Sequence, residues 1–203
     1  MDQPAPSKRR YEKTRQGILA AARAILRENG VEGLSIRALA ERVDYSPSAI
    51  YQYFDSKESI LDALREEGWQ LRRAMNAGMD LSGKTPMEIL IAAGMNYLRF
   101  ARTYPEHFKL MFSSQYARPQ ELGDIINNPE FSGLSRWIEA GIEAGEIELP
   151  EGVSVLHVRM MLWFVAHGAS IIEINMLDSR REEFEKTVLD VFHAMAKLMA
   201  PKG

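Results

Sequence analysis

The sequence predicts an all-α protein in which a small N-terminal unit of three helices precedes a larger helical bundle, nine or ten helices in all. Three observations carry this fold class. Apolar residues recur at spacings of three and four along nearly the whole chain, no segment alternates with the period of a strand, and the breaks between segments are helix caps, stops and prolines. The chain has 203 residues, 46% hydrophobic and 26% charged, an ordinary globular composition. A chain of this length buries about 70% of its unfolded surface without covalent staples. It holds no cysteine, which excludes disulfides, thiolate metal sites, iron-sulfur clusters and thiol nucleophiles.

The first helix is predicted from about Tyr11 to Asn29, where Ile18, Leu19, Ala22, Ile25 and Leu26 recur at helical spacing and Asn29-Gly30 supplies the stop. Ser35 is placed to cap a short second helix from Ile36 to about Val43. Ile36, Leu39, Ala40 and Val43 form its apolar side, and Arg37, Glu41 and Arg42 its polar side. Ser46 and Pro47 open a third helix that ends near Phe54, and a fourth runs from Lys57 towards Met79 before Ser82-Gly83 breaks the pattern. Thr85 to Glu88 is a capping box with proline in the first turn, followed by Ile89, Leu90, Ala93, Tyr97, Leu98 and Ala101 on one face. Pro105, Pro119 and Pro129 mark fresh starts: a short helix through Phe112, a weak one over Leu122 to Ile126, and another from Glu130 to about Ala144. Two long helices, Ser154 to Met176 and Arg181 to Met199, close the chain as a hairpin, the second opened by a capping box from Ser179 to Glu182.

The first seventeen residues are polar and basic without the apolar run of a signal peptide, so a cytoplasmic protein is expected. The apolar stretch from Val153 to Ala169 is broken by His157, Arg159 and His167 and falls short of the ~20 residues of a membrane span. It reads as a buried helix, with no membrane partner. The net charge of -3 is unevenly spread. Residues 1–60 carry ten Lys and Arg against eight Asp and Glu, whereas residues 61–203 carry fifteen against twenty. The basic charge is densest at Lys8, Arg9, Arg10, Lys13 and Arg15, which suits a flexible arm reaching a phosphate backbone or minor groove, or an ordinary solvated tail.

From Ser35 to Phe54 a short helix, a tight turn and a second capped helix follow one another at helix-turn-helix spacing. Ala40, Ile50 and Phe54 fit the buried positions. Ser48, Ala49, Tyr51, Gln52 and Tyr53 remain for the outer and flanking faces, where hydroxyls can bind phosphates and an amide can read an adenine edge. Spacing alone also admits a purely structural helical hairpin.

The residues from Leu39 to Phe54, followed by Asp55, Ser56, Lys57 and Glu58, resemble the TetR-type transcriptional regulators, and with the first helix the likeness spans roughly residues 11–61. The resemblance implies that Ser35, Tyr51, Tyr53 and Lys57 hold phosphates, that Arg37 reaches a base or the backbone, and that Ser48, Ala49 and Gln52 face the bases. Ser46 belongs to the same candidate surface, and Arg9 and Arg10 would serve as the arm. Two positions depart from the family's pattern. Asp44 stands where glycine is usual in the turn, although Asp tolerates left-handed geometry, and Tyr53 stands where histidine is frequent.

The C-terminal region resembles the subgroup with a Trp-His-Gly signature, here Trp163, His167 and Gly168, together with the stretch from Tyr97 to Phe112. A structural reading stands beside it, since Trp163 and His167 lie one helical turn apart and Gly168 permits close helix approach. The resemblance implies an effector-binding and dimerisation domain over residues 61–203, paired through the last two helices and enclosing a cavity for a small molecule. Tyr97, Phe100, Phe108, Met111, Phe112, Trp137, Met160, Trp163 and Phe164 form an apolar stock for that cavity, with His167 as a polar anchor, and the same residues would serve as plain core.

The function implied is a sequence-specific regulator, in the form of a repressor that binds a palindromic operator on double-stranded DNA as a homodimer and is released by a small-molecule effector. A regulator of the same fold without effector control, or an activator, is the alternative. An enzyme is not expected. The four histidines and the carboxylates form no HExxH, GxSxG or phosphate-binding glycine loop, and neither metal nor cofactor is implied.

Overall fold

The structure is a computed structural model that describes residues 6–112, 123, 129–177 and 179–201. Apart from Gly123, the weak helix expected over Leu122 to Ile126 lies outside the described residues. Among the described residues the chain is helical without strands: α1 (Pro6–Asn29), a 3-10 turn (Val31–Gly33), α2 (Ile36–Arg42), α3 (Pro47–Ile50), α4 (Lys57–Ala77), α5 (Pro86–Thr103), α6 (Pro105–Phe112), α7 (Pro129–Glu143), α8 (Val155–Met176) and α9 (Arg181–Met199). The chain divides into two compact units. The first runs to Gln70 and takes in the segment from Glu106, and the second runs from Leu71 to Pro105 and through α7, α8 and α9. The first unit therefore extends ten residues past the boundary expected at residue 60 and recruits a helix distant in sequence.

In the first unit, Ile18, Ala22, Leu39, Ile50, Phe54 and Ile60 are buried in one core, which Leu110 of α6 completes. α1 begins five residues before the expected Tyr11, so Arg9 and Arg10 sit on a helix and not on a flexible arm. Proline suits a first turn, and the Lys and Arg that follow it are good helix formers. α3 is shorter than expected. Past Ile50 the amides of Gln52 and Tyr53 turn to carbonyls three residues back, at 3.3 and 2.9 Å, and the backbone tightens into a turn before Phe54.

In the second unit α5 packs against α7, α8 and α9. Its start is the expected capping box: Thr85 Oγ1 accepts from the Glu88 amide at 3.3 Å, and the Glu88 carboxylate accepts from the Thr85 amide at 2.9 Å. Gly94 of α5 lies so close to Phe192 of α9 that a Cβ there would come within 2.4 Å of the ring. The box expected over Ser179 to Glu182 does not form. The cap is Arg180, left-handed at φ 60°, which shifts the reciprocal position to Glu183, 3.7 Å from the Arg180 guanidinium. α8 instead opens with an unforeseen box in which the His157 Nδ1 replaces a carboxylate and accepts from the Ser154 amide at 3.1 Å.

α8 ends at Met176 as expected, but the reading of Val153 to Ala169 as a buried helix too broken for a membrane span is corrected: by length and composition α8 is apolar enough to cross a membrane, and only part of it is buried. It buries Arg159 and Glu173 against the bundle while exposing Met161, Phe164, Ile171, Ile172 and Met176. Among the described residues nothing lies within 4 Å of a Cβ placed at Gly168, so none of them makes a close helix approach there.

Candidate nucleic-acid interface and ligand cavity

The first unit builds its outer surface from capped helices. Ser35 Oγ accepts from the Ala38 amide at 3.1 Å and starts α2, whose far end is tied to α1 by Arg42, paired bidentately with Glu28 at 2.6 Å. That pairing holds the Glu28 carboxyl below the usual carboxylate range. The turn between α2 and α3 places Asp44 at φ 56°, the left-handed region that glycine occupies without steric cost, and the Tyr45 amide returns to the Ala40 carbonyl at 2.9 Å. Ser46 Oγ then accepts from the Ala49 amide at 3.2 Å, and Pro47 supplies the first turn of α3. With Ile50 wholly buried, α3 and the turn after it leave Ser48, Tyr51 and Gln52 exposed and Ala49 half-buried.

The remaining candidates are divided among other tasks. Ser35 and Ser46 are helix caps, and Ser46 Oγ also lies 2.9 Å from Ser48 Oγ. Arg37 is exposed on α2 and pairs with Glu41 at 3.1 Å. Tyr53 is half-buried and stacks on Tyr11 with ring centroids 4.8 Å apart. Lys57 donates to the Val31 carbonyl at 2.9 Å, tying the start of α4 to the 3-10 turn and leaving two of its three donors for other partners. Arg9 and Arg10 are exposed along α1.

The sequence reading missed the contribution of α6 to this unit. His107 lies 3.6 Å from Glu67, whose carboxylate accepts from Arg23 at 2.6 and 2.7 Å. Burial pushes the His107 imidazole below its ordinary value despite that carboxylate. No local signal marks this set, because its members come from α1, α4 and α6.

The second unit contains a cavity of about 160 Å³. Of the ten residues proposed for ligand contact, Tyr97, Trp137 and Trp163 line it. His167 stands behind Tyr97, with Nδ1 2.9 Å from the phenol oxygen. The other six are elsewhere. Phe100 is fully buried core, Met160 is half-buried outside the lining, and Phe164 is 59% exposed, since the period of α8 turns it away from the wall that its neighbour Trp163 lines. Phe108, Met111 and Phe112 belong to the first unit, where α6 packs. Three polar lining residues were not foreseen: Arg72 and Asn76 of α4, and Arg136 of α7. Burial raises the Tyr97 phenol above its ordinary value, opposed by Arg72, and lowers the His167 imidazole.

Residues 18–64 match the profile of bacterial regulatory proteins of the tetR family, and residues 90–192 match that of the tetracyclin repressor-like C-terminal domain. Over 52 residues the chain is 40% identical to the class C tetracycline repressor protein of Escherichia coli, covering 26% of this chain and 24% of that protein. Over 64 residues it is 39% identical to the HTH-type transcriptional repressor AcnR of Corynebacterium diphtheriae, covering 32% of this chain and 34% of that protein. The matched stretches thus span about a quarter to a third of these curated relatives. A bacterial regulatory protein of the tetR family from Rhodococcus RHA1 shares the fold over 94% of this chain and 99% of its own, with a TM-score of 0.71 and 18% identity. The two profile matches cover both units, and the chain belongs to the tetR family of bacterial regulatory proteins.

Proposed function

We propose that this chain is a cytoplasmic, sequence-specific DNA-binding transcription regulator, a repressor that binds a palindromic operator as a homodimer and is released by a small-molecule effector. The observation that carries the reading is the outer surface of α3 and of the turn that follows it, where Ser48, Tyr51 and Gln52 are exposed beside a helix whose own needs are met by the Ser46 cap and the Ile50 anchor. An exposed amide there is suited to an adenine edge in the major groove, and the adjacent hydroxyls to phosphates. Arg9, Arg10, Arg37, Tyr53 and Lys57 supply backbone contacts in this reading, while Ser35 and Ser46 act through the helices they cap.

The homodimer is supported by the outer faces of the last two helices, where Phe164, Ile172, Met176, Val191 and Leu198 are exposed. Gly168 lies one turn from Phe164 and from Ile172, and its open side admits the backbone of a second copy. Two recognition helices in such a dimer would meet half-sites about 34 Å apart. An effector in the cavity acts by favouring one of two conformations, with α4 as the element that carries Lys57 at its start and the cavity residues Arg72 and Asn76 near its end.

Selection of bound sequences from a random duplex pool, with the purified full chain at a stated salt concentration, tests the reading. Enrichment of a palindrome with half-sites one helical turn apart is expected. No enrichment by a folded, dimeric protein would overturn it.

A further inference from the structure

The cavity of the second unit is walled by aromatic residues and by polar groups that already have partners. Tyr97, Trp137 and Trp163 line it, together with the buried side chains of Leu90, Leu162 and Ala166. The Arg72 guanidinium is buried and lies 4.5 Å from the centre of the Tyr97 ring, whereas Arg136 is solvent-exposed and lies 4.9 Å from the centre of the Trp137 ring. The Tyr97 phenol meets His167 Nδ1 at 2.9 Å, and Asn76 Oδ1 accepts from buried Asn96 at 2.9 Å. These polar groups of the lining are thus engaged within the protein itself.

Such surroundings penalise charge. Burial raises the Tyr97 phenol and lowers the His167 imidazole, so both are neutral at pH 7. A charged head brought into the cavity loses its hydration in the same way. An anion competes with the contacts that Arg72 already makes, and the attraction of solvated Arg136 is screened. A cation is repelled by Arg72, with neither Asp nor Glu among the described lining residues to hold it. A neutral hydroxyl or carbonyl asks for one donor, and the Asn76 amide nitrogen supplies it.

We infer that the cavity takes an uncharged compound built on a single aromatic ring, the ring packed against Tyr97, Trp137 and Trp163 and a hydroxyl or carbonyl met by the Asn76 amide. The inference rests on the effector reading proposed above and names the chemical class of that effector. The volume of about 160 Å³ is close to that of an apolar void that accommodates one benzene ring. Offset and edge contacts between aromatic rings add to the gain from burial, which sets a flat ring above an aliphatic one of the same size.

Benzyl alcohol, benzoate and benzylamine share a ring and differ in charge at pH 7, while phenol and cyclohexanol share a hydroxyl and differ in the ring. Calorimetric titration of the full chain with each compound therefore separates the classes. Benzyl alcohol is expected to bind at least about tenfold more tightly than benzoate or benzylamine, and phenol about threefold or more tightly than cyclohexanol. Trp137→Leu should bring phenol and cyclohexanol level. Arg136→Gln, at an exposed position that the fold does not depend on, should leave benzyl alcohol ahead of benzoate. Benzoate or benzylamine binding as tightly as benzyl alcohol overturns the assignment of an uncharged ligand. Cyclohexanol binding as tightly as phenol, or an unchanged preference for phenol in folded Trp137→Leu, overturns the assignment of an aromatic one. Each of these results leaves the cavity reading standing, whereas failure of all five compounds to bind overturns both together.

Discussion

The two units present their functional side chains in opposite ways. In the first, the residues proposed to meet DNA stand outside the core that holds them: Ile50 is wholly buried, and Gln52, two residues on, is exposed. In the second, the cavity wall is itself core, since Leu90 and Tyr97 are buried packing residues and lining residues at once. A change of contact surface in the first unit is thus separable from folding, whereas in the second the two are entangled. The difference follows from ligand shape. A groove of DNA is met by a convex surface, and a small molecule by a concavity that must be cut into the packing.

The largest effect is expected where a charge is held inside the second unit. Glu173 is 1% exposed and accepts from Arg102 Nε at 2.6 Å, while Arg102 Nη1 donates to Glu185 at 2.7 Å. Arg102→Met would leave the Glu173 carboxylate buried without that cation, at a cost of about 3–5 kcal/mol, read as a lowered denaturation midpoint. An unchanged midpoint would mean that the buried carboxylate finds another partner.

Ile50→Ala comes next, at about 2–5 kcal/mol for a truncated core side chain. Because Ile50 anchors α3, this variant should lose stability and operator affinity together, and it marks the limit of the separation in the first unit. Gln52→Ala should show the separation itself: stability within about 0.5 kcal/mol of the parent, but about 1–3 kcal/mol less discrimination at one base pair. Competition binding on operator variants measures it. A uniform loss across all sequences would assign Gln52 to the phosphate backbone.

The same contrast decides how much was legible in the sequence. Ser35, Ser46 and Thr85 were recognisable as caps because capping is settled within four residues, and the period of Ile18, Ala22 and Ile25 marked a buried stripe on an amphipathic helix. The cavity was only partly legible. α8 is apolar on nearly every side, so its periodicity carried no direction, and adjacent Trp163 and Phe164 could not be told apart as wall and outer surface. Arg72 and Asn76 carried no signal in the sequence, because what places them in the lining is the approach of Tyr97 and Asn96, 25 and 20 residues further along the chain. The box at Ser154 went unmarked and the one expected at Ser179 was displaced to Arg180 for a local reason: an imidazole can take the role of a carboxylate, and a left-handed residue can displace a serine by one position.

The smallest effect compares one histidine from each unit. Burial holds both His107 and His167 below the ordinary value of 6.5. Each therefore binds its proton less readily folded than unfolded, so the stability it contributes is complete above about pH 6.5 and is lost as pH falls below that value, levelling off once the folded pKa is passed. The environments differ, however. Around His107 the carboxylates of Glu67 and Glu106 draw the value upwards and Arg23 opposes them, whereas for His167 burial is the cause of the lowering and no carboxylate counters it. Glu67→Gln should thus deepen the depression of His107 and steepen the loss of stability between about pH 6.5 and 5, whatever it does to the baseline through Arg23. His107→Gln added to Glu67→Gln should remove the extra slope, and His167→Gln should flatten the acid limb in either background. Urea denaturation across that range reads the slope. A slope unaffected by Glu67→Gln would show that the 3.6 Å approach of Glu67 to His107 carries no electrostatic coupling.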